Sequence, residues 1–357
     1  VGSLLGMGAM QFFAPILAKN YEGGYASAGF FRTLAPVGIV ISILLTILAI
    51  IGIWEKDRPK YFGIGGEVSE KVKLHEYVQI IKNNNPMQRL MVAGAGCKLA
   101  LSIATNTTVL CMLYGCMMGS YDGLYLPMMV LGYVFSVPFF LLTVRTSQKE
   151  GQKASLMKYV RVAFVCYIGV LVLLMLWGRS DAFTLSIMGD NGLSINLYTI
   201  LFIAFFGIGY GAYYATADMP IPMVADCSDY ETYRSGSYIP GIMGTLFSLV
   251  DKLVSSLSAT VVGIAVSFIG LESLPTQYDS YTPGMNWVVI VLFCIIPMVA
   301  WAATLIAMKG YTLTGEKMKE IQAVNACRRD AVANGMKLEE AMTKWQSMDQ
   351  LPAEYRS

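Results

Sequence analysis

Charge is scarce in this chain. Only 14% of its 357 residues are Asp, Glu, Lys or Arg, whereas a soluble domain carries about a quarter. A surface so poor in charge has little to present to water. Histidine occurs once, as His75, which leaves no basis for a His/Cys metal site. The seven cysteines have no paired spacing and mostly sit inside apolar runs, as small buried hydrophobes do. There is no His/Glu metal pair, no G-x-S-x-G turn and no phosphate-binding loop, which argues against an enzyme and implies no cofactor. The formal charge is +2, but its basic residues sit in connectors rather than on one face, so nucleic acid is not an expected partner. The chain opens on Val1 inside an apolar stretch, without the charged start and small-residue cleavage site of a signal peptide. It reads as a fragment.

Apolar residues make up 55% of the chain and its mean hydropathy is +0.54. They come in runs of about 20, the length that crosses the hydrocarbon of a bilayer. The expected fold is all-α, a polytopic bundle of about eight transmembrane helices. The spans read as Val1–Ala18, Thr33–Trp54, Leu90–Tyr114, Tyr125–Val144, Tyr159–Trp177, Leu197–Met219, Ser237–Ile269 and Trp287–Met308. Lys56, Arg58, Lys60, Lys71, Lys73, Lys82 and Arg89 flank the connector after the second span, and Arg145, Lys149, Lys153, Lys158 and Arg161 flank the one after the fourth. The opposite connectors hold only Lys19, Arg32 and Arg179. Basic residues stay cytoplasmic, so both ends of the chain are expected in the cytoplasm, with the protein integral to the inner membrane.

The domain organisation follows. Residues 1–54 hold two helices, 55–86 a cytoplasmic linker, 87–308 a six-helix bundle and 309–357 a cytoplasmic tail. Within the linker, Leu74–Ile81 is amphipathic and suits a membrane surface. Two spans before a basic linker and six after it suggest a twelve-helix transporter without its first four helices. The spans Tyr159–Trp177 and Trp287–Met308 have almost no polar side chains and read as lipid-facing, in a three-plus-three rhythm. Gly207, Gly209 and Gly211 follow no strand, so they read as close helix packing rather than a dinucleotide loop.

Charge within a bilayer is costly and marks function. Lys252 lies deep in the seventh span, on one face with Thr245, Ser248, Ser255 and Ser256. That face suits a wet cavity. Asp251 points about 100° away from Lys252 and needs its own partner. Lys98 forms a second stripe with Ser102, Thr105 and Asn106, and either faces the cavity or reaches the cytoplasmic surface. Tyr210, Tyr214 and Asp218 recur every fourth residue, with Tyr213 beside them. Such tyrosines serve either as packing or as apolar faces and hydroxyls for a sugar, and Asp218 serves either a gate or a binding site.

The stretch Met223–Lys252 reads MVADCSDYETYRSGSYIPGIMGTLFSLVDK. It resembles the glycoside–pentoside–hexuronide:cation symporters, melibiose-permease-like members of the major facilitator superfamily. Ala225, Asp226, Asp229, Tyr230, Arg234, Gly236, Gly241 and Lys252 match that family's acidic loop and the Lys of its eleventh helix. The segment from Tyr311 to Ile321 is similar to its cytoplasmic C-terminal segment. The chain departs from the pattern at Thr232, Tyr238 and Ala217, where the family has Glu, Arg and a cavity Trp. The resemblance implies sugar symport by alternating access, with Na⁺ or H⁺ as coupling cation and its main ligands on helices absent from this chain. It also implies a cavity role for Lys252, with Ser248 one turn away. Asp226, Asp229, Glu231 and Arg234 would form a cytoplasmic gate whose acids pair with basic loops. A lipid or lysolipid carrier of the same fold, or a non-transporting sensor, is the alternative.

Overall fold

A computed structural model describes residues 2–55, 79, 81–186, 188–189, 192–193 and 195–356. The helices fall into two units, Val1–Val68 and Ser69–Ser357. The first contains α1 (Gly2–Ala18) and α2 (Ala28–Ile53). Phe30 is its buried anchor, held edge-on by Tyr21, Tyr25 and Phe31. The hydroxyls of Tyr21 and Thr33 meet at 2.7 Å. The rest of α2 is a bare apolar rod, with Ile39, Leu45, Leu48 and Ile51 all exposed.

The second unit is built on α3 (Asn85–Ala104), α4 (Thr107–Met117), α5 (Tyr121–Glu150), α6 (Gln152–Leu176), α7 (Leu197–Thr216), α8 (Pro220–Ser235), α9 (Pro240–Ser267) and α10 (Met285–Lys309). Apart from a two-residue antiparallel ribbon at Met188–Gly189 and Gly192–Leu193, the described residues form only helices and connectors. Among the described residues six helices are long and apolar enough to cross a bilayer, or seven with the bent pair α3 and α4. The first expected span is α1, whose 17 residues stand at the lower limit for crossing. The protein is an all-α membrane bundle.

Small residues set the helix contacts. α10 packs along α3, and α7 sits against both α5 and α6. A Cβ on Gly207 would lie 2.6 Å from the Phe135 ring, one on Gly211 2.8 Å from the Phe135 carbonyl, and one on Gly209 2.9 Å from the Tyr167 ring. The three glycines are therefore close packing against two neighbours. At the α3–α10 contact Thr304 donates to the Ala93 and Ala300 carbonyls, each at 3.1 Å, and Gly96 leaves no room for a side chain beside Thr304.

Three expectations need revising. The span Leu90–Tyr114 is not one rod. It bends by 47° at Thr105–Asn106, and Cys111–Met117 continue as a π-helical turn. The acidic segment after the sixth span is not a loop but the 16-residue helix α8, started by Pro220 at its first turn and ended by Gly236 at φ 76°. The two spans expected to face lipid are covered more than two others: in their most apolar 18-residue stretches 44% of α6 and 50% of α10 residues are buried, against 28% for α5 and 17% for α9. A helix apolar all round suits an interior as well as a bilayer, and sequence alone does not separate the two. The tail is folded: α11 (Gly315–Ala333) and α12 (Leu338–Lys344) bury Val324, Cys327, Ala341, Trp345 and Leu351 around one small core. The linker stretch Leu74–Ile81 lies outside the described residues except Gln79 and Ile81, both helical.

Candidate functional site

α9 begins at Pro240 and runs 28 residues without a further proline. Its covered side is mainly apolar, with Met243, Leu246, Phe247, Val262 and Val266 buried beside one hydroxyl, that of Ser258. The opposite side is the polar stripe. Thr245, Ser248, Lys252 and Ser256 are exposed and Ser255 is half-buried. Several hydroxyls are satisfied by their own helix: Thr245 donates to the Gly241 carbonyl at 2.8 Å, Ser255 to Asp251 at 2.7 Å and Ser256 to Leu253 at 2.8 Å. Such back-bonding lets hydroxyls sit on a membrane helix while their lone pairs stay free to accept.

Asp251 finds its partner across the α3–α9 contact. Its Oδ1 lies 3.6 Å from Lys98 Nζ, with both side chains about three-quarters covered. Lys98 thus neutralises Asp251. Among the described residues no carboxylate comes within ion-pair distance of Lys252. The three charges of this patch sum to +1, carried by the outward-facing Lys252. Asn106 has a local duty as well. Its Oδ1 accepts from the Thr108 N–H at 2.9 Å and caps α4 at the bend.

The tyrosines of α7 lie inside the helical unit. Tyr198, Phe202, Phe206, Tyr210 and Tyr214 recur every fourth residue and pack ring to ring, the last pair 5.4 Å apart and 16° from parallel. Tyr210 is 1% exposed and Tyr214 8%. Tyr133 of α5 meets both rings edge-on, at 6.1 and 5.7 Å. Asp218, beyond the end of α7, is exposed. The expected single cavity is therefore divided, with tyrosines buried and the lysine stripe exposed. The period-four aromatics starting at Tyr198 were a readable sign of a packed ladder. Tyr133 gave no such sign.

α8 carries the acidic motif. Together α7 and α8 cover 39 residues, about 58 Å of helix and twice the hydrocarbon thickness, so the charged α8 lies outside the membrane core. Glu231 is buried, and among the described residues its carboxylate is held by near neighbours of α8 and α3. Its Oε1 accepts from Arg234 Nη2 at 2.6 Å on the same helix, and its Oε2 from Asn84 Nδ2 at 3.0 Å. Asn84 also caps α3 by accepting from the Met87 N–H at 3.0 Å, which pins the start of α3 to α8. The Asp229 carbonyl accepts from Asn325 Nδ2 of α11 at 2.9 Å. Asp226 faces a basic cavity without forming an ion pair within the described residues. Burial first, then the neighbouring Asp229, pushes its carboxyl up to about 6. Burial also raises Asp229, against a hydrogen bond from Gln322.

The tail grips the same helix. Arg328 is buried and donates to the Trp345 carbonyl at 2.9 and 2.6 Å and to the Tyr233 carbonyl at 2.8 Å, with its guanidinium 5.3 Å from the Tyr233 ring. Neither Asn84 nor Arg328 stood out in the sequence, because both act through backbone contacts far along the chain.

A family model described as MFS/sugar transport protein matches residues 1–315. The chain belongs to that family. This MFS chain is also 28% identical over 123 residues to an uncharacterised 29.9 kDa protein from the crtE 3′ region of Pseudescherichia vulneris. That match covers 34% of the MFS chain and 43% of the relative, so the chain spans less than half the length of the curated relative it matches.

Proposed function

We propose that the chain forms part of a sugar:cation symporter of the glycoside–pentoside–hexuronide type, in the inner membrane with both ends cytoplasmic. The observation that carries this reading is the outward-facing stripe of α9, where Thr245, Ser248 and Lys252 present hydroxyls and one unneutralised ammonium. Such a face in lipid is costly, so it belongs against water and a hydrophilic solute. Hydroxyls beside a cation suit a sugar, whose oxygens accept from Lys252 while its own O–H groups donate to Ser248 and Thr245.

The mechanism is alternating access. The family pattern puts the main cation carboxylates on its second and fourth helices, and Lys252 then repels a cation arriving without sugar. Cation and sugar together favour the occluded state, which couples them. On the other side α8 acts as the gate. Glu231, oriented by Arg234 on the same helix, holds it to the α3 cap Asn84, and the tail holds it through Arg328.

Uptake of radiolabelled glycosides by vesicles containing the full-length protein tests this, with and without a Na⁺ or H⁺ gradient. Gradient-driven accumulation of a sugar is expected. Flipping of a fluorescent lysolipid without any sugar uptake would replace this reading with a lipid carrier.

A further inference from the structure

An open pocket with basic groups in its wall lies at the α5–α6 turn, and none of the α9 stripe lines it. It holds about 690 Å³ and is lined by the α5–α6 turn, the first turns of α6, Asp226 of α8 and the start of α11. Small-molecule sites fall in this size range. Lys153, Lys158 and Arg161 line it. Lys153 Nζ donates to the neutral Tyr311 carbonyl at 2.6 Å, so its charge is not cancelled. Lys158 lies 3.8 Å from Glu150 with both side chains half exposed, a weak pair. Among the described residues Arg161 has no carboxylate at ion-pair distance.

Two further features converge there. α6 starts at Gln152 and α11 at Gly315, neither with a side-chain cap, and both starts line the cavity. Their first N–H groups have no partner within the helix, and a helix start carries partial positive charge. Gln152 Oε1 is buried at the cavity wall without a donor. An anion answers the basic groups and the helix starts, whereas Gln152 Oε1 and the Asp226 carboxyl call for an O–H.

We propose that this cavity binds the phosphate ester of a small polyol, with the phosphate between Lys153, Arg161 and the two helix starts and a hydroxyl on Gln152. That chemistry occurs as the headgroup of phosphatidylglycerol and as free glycerol 3-phosphate. Leu313, Met157 and Met318 at the wall are compatible with either source. The site is independent of sugar transport, because its readout is binding.

The test uses purified full-length protein in two arms. In the first, glycerol 3-phosphate is titrated calorimetrically into protein in neutral detergent. In the second, native mass spectrometry counts lipids retained from nanodiscs of phosphatidylglycerol and phosphatidylcholine. The variants are Arg161→Gln and Lys158→Gln, both at exposed positions, with Arg179→Gln on the opposite connector as the charge-matched control. Wild type should bind in at least one arm, and Arg161→Gln should weaken that binding about tenfold or more, the scale of a lost charge-assisted hydrogen bond. Lys158→Gln should weaken it less, and Arg179→Gln should leave it unchanged. Binding in the first arm identifies a soluble phosphate, and selective retention in the second alone identifies the lipid. No binding in either arm, or equal losses in Arg161→Gln and Arg179→Gln, overturns the proposal.

Discussion

In α7 the polar side chains point inward, and in α9 they point out. Both helices carry hydroxyl-bearing residues at helical spacing, and both lie in the same six-helix unit. In their most apolar 18-residue stretches, 67% of the α7–α8 residues are buried and only 17% of those of α9. Tyr210 and Tyr214 stack with each other and against Tyr133, so their rings serve as packing volume. Thr245, Ser248 and Lys252 touch no such ladder and remain open to a ligand. A polar stripe on a membrane helix thus has two meanings. Aromatic rings can bury the hydroxyls they carry, but an ammonium and short hydroxyls need water or a solute.

The sharpest way to break this contrast is Lys252→Ala. Because the side chain is exposed and unpaired, its loss should leave thermal unfolding of the detergent-solubilised protein within about 0.5 kcal/mol of wild type. Gradient-driven sugar uptake should fall about 100-fold, as expected when an intramembrane charge serves function. Normal uptake would reduce the α9 stripe to surface chemistry. Next in size is the pair behind it. Lys98→Ala or Asp251→Ala leaves one half-buried charge without its partner, and each should cost about 1–2 kcal/mol in unfolding. The double variant should cost less than their sum. Additive losses would show that the 3.6 Å contact contributes nothing.

For α7 the expected effect is small. Tyr210→Phe removes a hydroxyl that is buried without a well-formed hydrogen bond and keeps the ring in the ladder. Stability should stay within about 0.5 kcal/mol, since such a hydroxyl gives little in place of the water it lost. Uptake should stay within a factor of about two by the same argument. A loss matching that of Lys252→Ala would move Tyr210 from packing to ligand contact and erase the distinction between the two helices.

How far all this was legible depends on the range of each interaction. Apolar runs fix where helices lie because bilayer thickness sets their length, so α2, α5, α6, α7, α9 and α10 each overlap a span that hydropathy marks. The glycines of α7 were also legible as packing, since no strand precedes them to make a dinucleotide loop. Burial was not legible. Tyr210 and Thr245 both sit in stripes, and only the neighbours of each helix decide which stripe is covered. Asp251 illustrates the same limit: the sequence showed that it needed a partner, yet Lys98 stands 153 positions earlier, as 251 − 98 gives. The bend at Asn106 was missed because an Asn cap leaves the apolar run unbroken. Glu231 was read as a loop acid reaching outward, whereas the helical fold of α8 brings Arg234 to it three residues on.

The smallest effect concerns α8, which joins the two helices, and it can be isolated by pH. Asp226 has its carboxyl raised from 3.8 to about 6, chiefly by burial and then by Asp229. A raised carboxyl favours the folded state while protonated, so its contribution is complete below about pH 4, the unfolded value. The contribution is lost as pH climbs through 6. Lys153, Lys158 and Arg161 face the same cavity from α6, and Glu150 from α5. Their positive excess is not enough to reverse the direction of the shift. Asp226→Asn removes the penalty of a buried charge and should raise the melting temperature at pH 8, with the gain vanishing near pH 4. Equal effects of the variant at both pH values would mean that the Asp226 carboxylate is as well solvated in α8 as in the unfolded chain, and that the junction between α7 and α9 is open to water.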